Sequence, residues 1–267
     1  MMIETDSAGA LFRAGRLADA ILAANAAVRG RPGDLGARLL LAELLVFAGN
    51  LERADVILDA AAVADPSAAV VVAEFRQLLR AEMARRQWHR DGRLPEFLGE
   101  PTPSQRALLA AGVARRVGDA AEAARAVAEA EALRPHVAGQ AEETPFDDLR
   151  DADDLAGGTL EVLTTTGKYF WVPLERMLEM AFHPPARPRD LIWRRATVAV
   201  ADGPDGEVYV PALYWPDAPD LPEALRLGRE TDWVEQDGLV RGRGQRCFLI
   251  GDVAFGIMQL TTLRFGA

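Results

Sequence analysis

The sequence predicts an α+β protein in two parts, helical repeats followed by a smaller β-rich, barrel-like unit. A helix–turn–helix pattern recurs in the first half, and the composition changes near Thr159. Alanine and leucine, which favour helices, dominate before that point. After it, β-branched and aromatic residues occur in short runs bounded by Gly, Pro and Asp, as in strands. We expect a repeat domain over residues 1–140, an acidic linker over 141–158 and a β-rich domain over 159–267.

The recurring unit is a glycine turn followed at fixed distance by a proline. The second copy lies 34 residues after the first, and the third lies 69 residues after the second. The three copies are marked by Gly15 and Pro32, Gly49 and Pro66, and Gly118 and Pro135. A helix–turn–helix period of 34 residues is the signature of tetratricopeptide-type repeats, whose stacked helix pairs form concave surfaces for peptides or helices. The large aromatic positions of the ideal repeat are mostly missing, so these copies are degenerate.

The periodicity also predicts individual elements. The expected helices are Ala8–Ala14, Leu17–Arg29, Leu35–Ala48, Leu51–Ala64, Ser67 to about Arg90, Gln105–Val117 and Ala120–Leu133, with Ser67 and Ser104 as caps. Residues Asp91–Pro103 are expected to form a loop because of three prolines. The expected strands are Leu160–Thr165, Tyr169–Pro173, Leu191–Val200, Glu207–Tyr214, Cys247–Ile250 and Ile257–Phe265, with a short helix over Leu174–Ala181 and a hairpin turn over 202–206.

Composition limits the possible functions. A net charge of −10 argues against nucleic acid as the main partner, because phosphate binding needs a basic surface. The single cysteine excludes an internal disulfide framework and fits a reducing compartment. The start of the chain has no secretory signal pattern, and no apolar run reaches the roughly 18–20 residues of a membrane span. The sequence therefore indicates a cytoplasmic protein that does not insert into a membrane.

Candidate catalytic and metal sites are few. The acidic run Asp147–Asp154 offers oxygen ligands but lacks calcium-loop spacing, so a solvated linker or helix N-terminus is the favoured alternative. Cys247 lies in an apolar run without a neighbouring histidine, which favours a buried small hydrophobe over a nucleophile. The three histidines show no metal-ligand spacing. We therefore expect no catalytic residue, no metal and no cofactor.

Two short motifs resemble motifs of enzymes only weakly. His89-Arg90-Asp91 resembles a kinase catalytic loop, but Glu96 stands where that loop needs asparagine. The segment Gly242–Arg246 contains glycines yet lacks a third glycine in place and a following helix, so a turn between strands is favoured over a phosphate loop. Arg241, Arg243 and Arg246 form a local basic patch that could meet an acidic partner, or Asp147–Asp154 within the chain.

Partner-binding residues are predicted on two surfaces. Concave faces of repeats are lined by the first helix of each pair, and this face mixes apolar and charged groups suited to an amphipathic helix. Three successive aromatics at 169–171 cannot all enter one core, because neighbouring strand residues point to opposite faces. The candidates are Phe12, Leu39, Glu43, Val46, Gln105, Leu108, Arg115, Tyr169, Trp171 and Trp215. The alternative is that the long helix from Ser67 fills the groove, or that the β-domain covers it.

Several longer strings resemble the ImpE family, also called TagJ, of type VI secretion accessory proteins. They include Leu44–Asp55, Phe75–Glu82, Asp147–Asp154, Tyr169–Pro173, Arg189–Arg194, Glu207–Tyr214, Leu227–Trp233 and Gly242–Arg246. The strings follow the family's order over nearly the whole chain. The resemblance implies a non-enzymatic cytoplasmic adaptor that binds a helix of the small sheath subunit and helps couple the contractile sheath to its ring ATPase.

Two other functions remain open. One is a general helical-repeat scaffold unrelated to secretion, which copurification with sheath subunits would distinguish. The other is an enzyme with its site in the C-terminal domain, which should show converging titratable groups in a pocket.

Overall fold

The computed structural model describes residues 7–216 and 220–266. In this part of the chain, helices fill the first half and strands dominate the second. We call residues 7–134 the helical half and residues 139–266 the sheet half. The helices are α1 (Ala8–Arg13), α2 (Leu17–Gly30), α3 (Leu35–Phe47), α4 (Leu51–Ala64), α5 (Ala69–Asp91), α6 (Pro103–Arg116), α7 (Ala120–Leu133) and α8 (Glu223–Arg226). The predicted helical repeats followed by a strand-rich part are confirmed.

Helix starts follow the polar residues that precede them. Asp34 accepts a hydrogen bond from the backbone of Ala37 at 2.9 Å, satisfying an amide that the helix leaves without a partner. The predicted caps Ser67 and Ser104 are wrong. Asp65 accepts from the Ser67 amide at 3.0 Å, and Thr102 forms a capping box with Gln105. Both true caps directly precede a proline, which suits the first helical position.

The strands form three sheets. They are β1 (Glu96–Phe97), β2 (Gly139–Ala141), β3 (Thr144–Phe146), β4 (Leu149–Asp151), β5 (Thr159–Thr164), β6 (Tyr169–Pro173), β7 (Met177–Phe182), β8 (Trp193–Val200), β9 (Gly206–Pro211), β10 (Thr231–Gln236), β11 (Leu239–Gly244), β12 (Cys247–Ile250), β13 (Val253–Gly256) and β14 (Thr262–Phe265). The largest sheet has the order β1-β6-β5-β9-β8-β7-β14-β2-β3. The others pair β10 with β11, and β13-β12-β4.

The large sheet is open, so the barrel-like expectation is wrong for the residues described. Its edges are β1 and β3, strands of two and three residues. Strands this short cannot carry the hydrogen-bond ladder around a closed barrel. The predicted hairpin turn over 202–206 is confirmed, because β8 and β9 pair antiparallel with Val198 opposite Gly206.

Three segments differ from the sequence-based expectation. The predicted helix over Leu174–Ala181 is a short 3-10 turn followed by β7, because pairing with β8 and β14 overrides helix propensity. The predicted acidic linker contains β3 and β4, and four of its acids, Asp148, Asp151, Asp153 and Asp154, pair with arginines. The predicted loop over Asp91–Pro103 contains β1, which pairs parallel with β6.

The main apolar core joins the two halves. Phe75 and Leu79 of α5 belong to the same buried cluster as Trp171 and Trp193 of the sheet half. Trp193 is fully buried, and its ring lies edge-on to Phe75 with centroids 6.1 Å apart. A second core lies on the other face of the large sheet, between it and the β4-β12-β13 sheet. The two halves are therefore packed together through α5.

Candidate functional site

The sheet half covers the inner face of the helical repeats. The ten predicted partner-binding residues fall into two groups. Eight are buried, namely Phe12, Leu39, Glu43, Val46, Gln105, Leu108, Tyr169 and Trp171. Arg115 and Trp215 are half-buried. Apart from Val46, which borders an open groove, a partner could reach the buried group only if the two halves separated, so partner binding by these residues stays a prediction.

Several of these buried residues make contacts between the halves instead. The side-chain amide of Gln105 donates to the carbonyl of Trp171 at 3.2 Å. Arg229 of the sheet half donates to the carbonyl of Phe12 at 2.6 Å. Glu43 of α3 faces Arg187 of the sheet half at 3.2 Å. The alternative in which the β-rich part covers the repeat groove therefore describes their surroundings.

Burial changes the acidity of Glu43. Its side chain is 3% exposed, and burial raises its pKa to about 7, although Arg187 and Arg189 oppose the change. A carboxyl group with this pKa is partly protonated near neutral pH. Glu43 is thus a titrating group inside the interface between α3 and the sheet half.

A buried charge cluster lies where α5 meets β5 and β6. We call Glu161, Arg85, Arg246, His89 and Tyr169 the Glu161 cluster. Arg85 donates to both oxygens of Glu161, at 2.9 and 3.1 Å. Arg246 donates to Glu161, and the Tyr169 hydroxyl donates to it at 2.6 Å. Burial alone would raise the pKa of Glu161, but Arg85 and Arg246 hold it well below its usual range.

His89 completes this cluster as a neutral group. Its Nε2 lies 3.6 Å from Glu161 Oε1, and its ring stacks on Trp215 with an angle of 2° between the planes. Burial lowers the pKa of His89 to about 4, even though Glu161 opposes the change. At pH 7 the imidazole is therefore uncharged, and the cluster holds two arginines around one carboxylate.

The acidic run supplies a second layer of pairs. Asp151 is fully buried and lies 3.1 Å from Arg246. Asp153 accepts from Arg241 at 2.8 Å, and Asp148 accepts from Arg134 at 2.6 Å. The burial of Asp151 and Asp153 means that this run is not solvated over its whole length. In the described ranges no group of three or more His, Cys, Asp or Glu is placed to hold a metal ion. Arg241 and Arg246 of the basic patch therefore meet acids of this run within the chain.

A small cavity lies beside the Glu161 cluster, between α5, α6 and the sheet half. We call it the interface cavity, and its volume is about 40 Å³. Its walls are largely tryptophan and arginine. The charged groups lining it are Arg85, Arg115, Arg116, Arg241, Arg246, Asp153 and Glu161. These groups, which include Arg115 of the predicted partner-binding set, converge on one space from both halves.

An open groove lies next to the interface cavity. We call it the end groove, because it begins at the C-terminal end of α3. Its volume is about 340 Å³, and it runs between α3, α5 and the segment after Leu213. Lining residues include Val46, Phe47, Arg86, Arg90, Trp215 and Leu225. Arg90 is exposed and lies over the Trp215 ring at 5.3 Å, so the groove combines apolar walls with a basic rim.

The sequence reasoning missed Glu161 and Arg85 of the Glu161 cluster, although two signals pointed to them. Glu161 is a charged residue inside the apolar run Leu160–Leu163. Arg85 lies seven residues after Leu78, on the same apolar stripe of α5. A charge in a core position usually has a buried partner. The pairing of Glu161 with Arg85 spans 76 residues, and only the fold could reveal it.

The remaining reactive residue types have ordinary surroundings. Cys247 is buried, and its sulfur lies 3.3 Å from the Thr231 hydroxyl. Burial raises the pKa of this thiol, which makes it a poorer nucleophile. His183 faces the Thr197 hydroxyl at 2.9 Å. None of the described helices is long and apolar enough to cross a membrane.

This geometry defines the class of protein as a helical-repeat protein whose repeats are closed by a strand-rich half. Comparison with known proteins agrees. A family model described as "Tetratricopeptide repeat" matches residues 11–75. A crystal structure of protein VPA1032 from Vibrio parahaemolyticus superposes with a TM-score of 0.90 at 27% identity, covering 97% of both chains. The whole architecture, including the way the halves meet, therefore recurs in a solved structure.

The family follows from two further matches. The family model described as "ImpE protein" matches residues 143–264. The "Type VI secretion system accessory component TagJ" of Pseudomonas aeruginosa is 34% identical over 257 residues, which cover 96% of this chain and 89% of the relative. The chain belongs to the ImpE family of type VI secretion accessory proteins, as the resemblance in its sequence implied.

Proposed function

We propose that this chain is a non-enzymatic cytoplasmic adaptor that binds a helix of the small sheath subunit and links the contractile sheath to its ring ATPase. Its relationship to a type VI secretion accessory component supports the secretion part of this proposal. Its helical repeats belong to an architecture that commonly binds peptides and helices.

The end groove is the proposed docking site for the sheath helix. It is an open groove that borders a repeat, and it holds Val46 and Trp215 from the predicted set. An amphipathic helix buries its apolar face in such grooves and keeps its charged face outside. The exposed Arg90 at the rim favours an occupant with acidic residues flanking its apolar stripe. This local basic rim contrasts with the net charge of −10 for the chain.

Trp215 is the proposed anchor of the helix. It is half-buried, its ring is held between His89 and Arg90, and tryptophan is enriched among residues that dominate binding energies. A ring already fixed by its neighbours loses little conformational entropy on binding. This fixed aromatic next to an open groove is the observation that carries the proposal.

Calorimetry with a peptide of the sheath subunit's helix tests the docking site. Trp215→Ala should weaken binding about thirtyfold, as expected for a hot-spot residue. Arg90→Glu should weaken binding of an acidic helix about tenfold. Arg125→Glu reverses an equally exposed charge on the distant helix α7 and should leave binding unchanged. Equal affinity for all four proteins, each folded by circular dichroism, would exclude the end groove as the docking site.

The link to the ATPase needs a separate experiment. Purified ATPase should co-sediment with assembled sheath more strongly when this chain is added. The Trp215→Ala variant should lose that effect if sheath binding through the groove is required. A chain that binds the sheath helix but does not change ATPase recruitment would support sheath binding and contradict the linking role.

A further inference from the structure

The interface cavity has features of a ligand site that the adaptor function does not use. It lies behind Trp215, between α5, α6 and the sheet half, and its volume is about 40 Å³. A cavity needs roughly 10–15 Å³ to hold one water molecule, so this one can take several waters or one small ion. We propose that the interface cavity binds a small oxyanion of the size of phosphate or a carboxylate.

The walls of the interface cavity carry more positive than negative groups. Five arginines and two carboxylates line the cavity. Glu82 and Asp151 pair with Arg85 and Arg246 of this lining, and Arg86 pairs with Glu82. With these included, arginines still outnumber carboxylates six to four. His89 is neutral because burial lowers its pKa to about 4, so it does not alter this balance at pH 7. Excess positive charge away from bulk water favours an anion.

The positively charged guanidinium of Arg116 contacts neutral groups. It donates to the carbonyl of Trp88 at 3.1 Å, and its guanidinium lies 4.7 Å from the Trp88 ring centroid. Among the described residues no carboxylate lies within ion-pair distance of it. A guanidinium has five N–H donors, and one carbonyl leaves most of them available for an oxyanion.

Two further polar atoms at the cavity point to a ligand. The hydroxyl of Thr159 is buried, with the residue only 2% exposed, and has no hydrogen-bond partner within the described ranges. The Nε2 of His89 is also buried without a hydrogen-bond partner among the described residues. Buried polar groups are normally satisfied, and an unsatisfied one is costly. An oxyanion in the cavity would accept from the Thr159 hydroxyl and from the Arg116 guanidinium together.

Such an anion would bridge the two halves. Arg116 belongs to α6, whereas Thr159 begins β5. A ligand that binds only the closed arrangement stabilises it in proportion to its concentration over Kd. Occupation of the cavity should therefore strengthen the contact between the repeats and the sheet.

The test is thermal unfolding of the full chain at constant ionic strength with sodium chloride, phosphate or acetate. Phosphate should raise Tm saturably by about 5 °C at a hundred times its Kd, more than chloride does. A comparable rise with acetate would identify a carboxylate as the natural type of ligand, and a rise with phosphate alone would identify phosphate. Either result supports an oxyanion site.

Two cavity variants and two controls locate the site. Thr159→Val keeps the side-chain shape and removes a hydroxyl without a protein partner, so it should fold normally and weaken phosphate about tenfold. Arg116→Gln should weaken phosphate binding at least as much. The controls are Thr164→Val on the same strand and Arg125→Gln on α7, and both should leave the phosphate affinity unchanged. Equal Tm changes in all salts, or unchanged phosphate affinity in the folded Thr159→Val variant, would overturn the proposal and indicate that only water fills the cavity.

Discussion

The two ends of helix α3 meet different surroundings. Near its middle, Leu39 and Glu43 are buried against other parts of the chain, and Glu43 faces Arg187 from the sheet half. At its C-terminal end, Val46 and Phe47 border the end groove of about 340 Å³, with an exposed arginine at its rim. Repeat periodicity alone places all four on one helix face. The difference teaches that a second domain can divide a repeat groove into a closed structural part and an open part available for binding.

The closed part is held by charge as well as by apolar packing. The Glu161 cluster places two arginines and one carboxylate, all less than a tenth exposed, between α5 and the large sheet. Burying charges is costly unless they are paired and hydrogen-bonded. The end groove shares Arg85 with this cluster and has Glu82 beside it, but Arg90 and Pro216 along it are exposed, which leaves part of its surface available to an external partner.

The largest effect is expected from removing the charge at the centre of the closed part. Glu161→Gln keeps the side-chain shape but leaves Arg85 and Arg246 short of their shared carboxylate. We expect a loss of about 3–5 kcal/mol in the free energy of unfolding, measured with urea. The matched control is Glu179→Gln on β7, whose partner Arg264 is exposed, and which should cost under about 1 kcal/mol. Equal effects at the two sites would mean that the cluster does not hold the halves together.

The second effect is a pH dependence from Glu43. Its pKa is about 7 in the folded chain against 4.5 for the ordinary group, so the folded state holds its proton more tightly. Stability from this group is fully present below pH 4.5 and is lost as pH rises to 7, by roughly 3 kcal/mol. Glu43→Gln should remove this slope.

The measurement is the difference in unfolding free energy between wild type and Glu43→Gln from pH 4.5 to 8. The difference isolates Glu43 from His89, whose lowered pKa gives a slope of the opposite sign between pH 6.5 and 4. A constant difference over this range would show that Glu43 reaches water and that the inner face is not closed.

A smaller effect is expected where α5 and α6 approach each other. A Cβ at Gly112 would lie 2.7 Å from the Trp88 ring. Gly112→Ala should therefore cost about 1–3 kcal/mol through overpacking, despite the better helix propensity of alanine. At Gly36 of α3 a Cβ would meet its nearest atom at 3.4 Å, so Gly36→Ala should be neutral or stabilising. Thermal unfolding compares the two, and a stable Gly112→Ala would mean that the helices can move apart.

The smallest effect is expected on the outer face of α7. Arg125 pairs with Glu122 and Glu129, but its side chain is 62% exposed. Water and salt screen such pairs, so Arg125→Gln should leave the urea midpoint unchanged within error. A measurable loss there would show that geometry, and not burial, decides which ion pairs matter in this fold.

The sequence predicted the repeats well because their signals are local. Leu51–Ala64 and Ala120–Leu133 were predicted from the repeat pattern with their observed bounds. Tyr169–Pro173 and Cys247–Ile250 were also predicted with their observed bounds. Strand β10 was missed because its side chains are mostly exposed, so it lacks the apolar alternation of a core strand.

The site was predicted less well because its signals are not local. Arg246 pairs with Glu161, 85 residues away, and Arg241 pairs with Asp153, 88 residues away. No spacing rule brings such residues together before the topology is known. The basic patch and the acidic run were recognised separately, and their internal pairing was one of two alternatives. The burial of the repeat face depends on how the sheet packs, which periodicity within the repeats does not contain.

Hydrogen–deuterium exchange with and without the sheath subunit's helix tests the division into closed and open parts most directly. We expect bound helix to protect the C-terminal end of α3, the last turns of α5 and the backbone around Trp215. Exchange at Leu39–Glu43 and in β5 should stay as slow as in the free chain, because the halves remain together. Faster exchange in β5 on binding, with new protection at Leu39–Glu43, would contradict this account and show that the partner enters the repeat groove by displacing the sheet half.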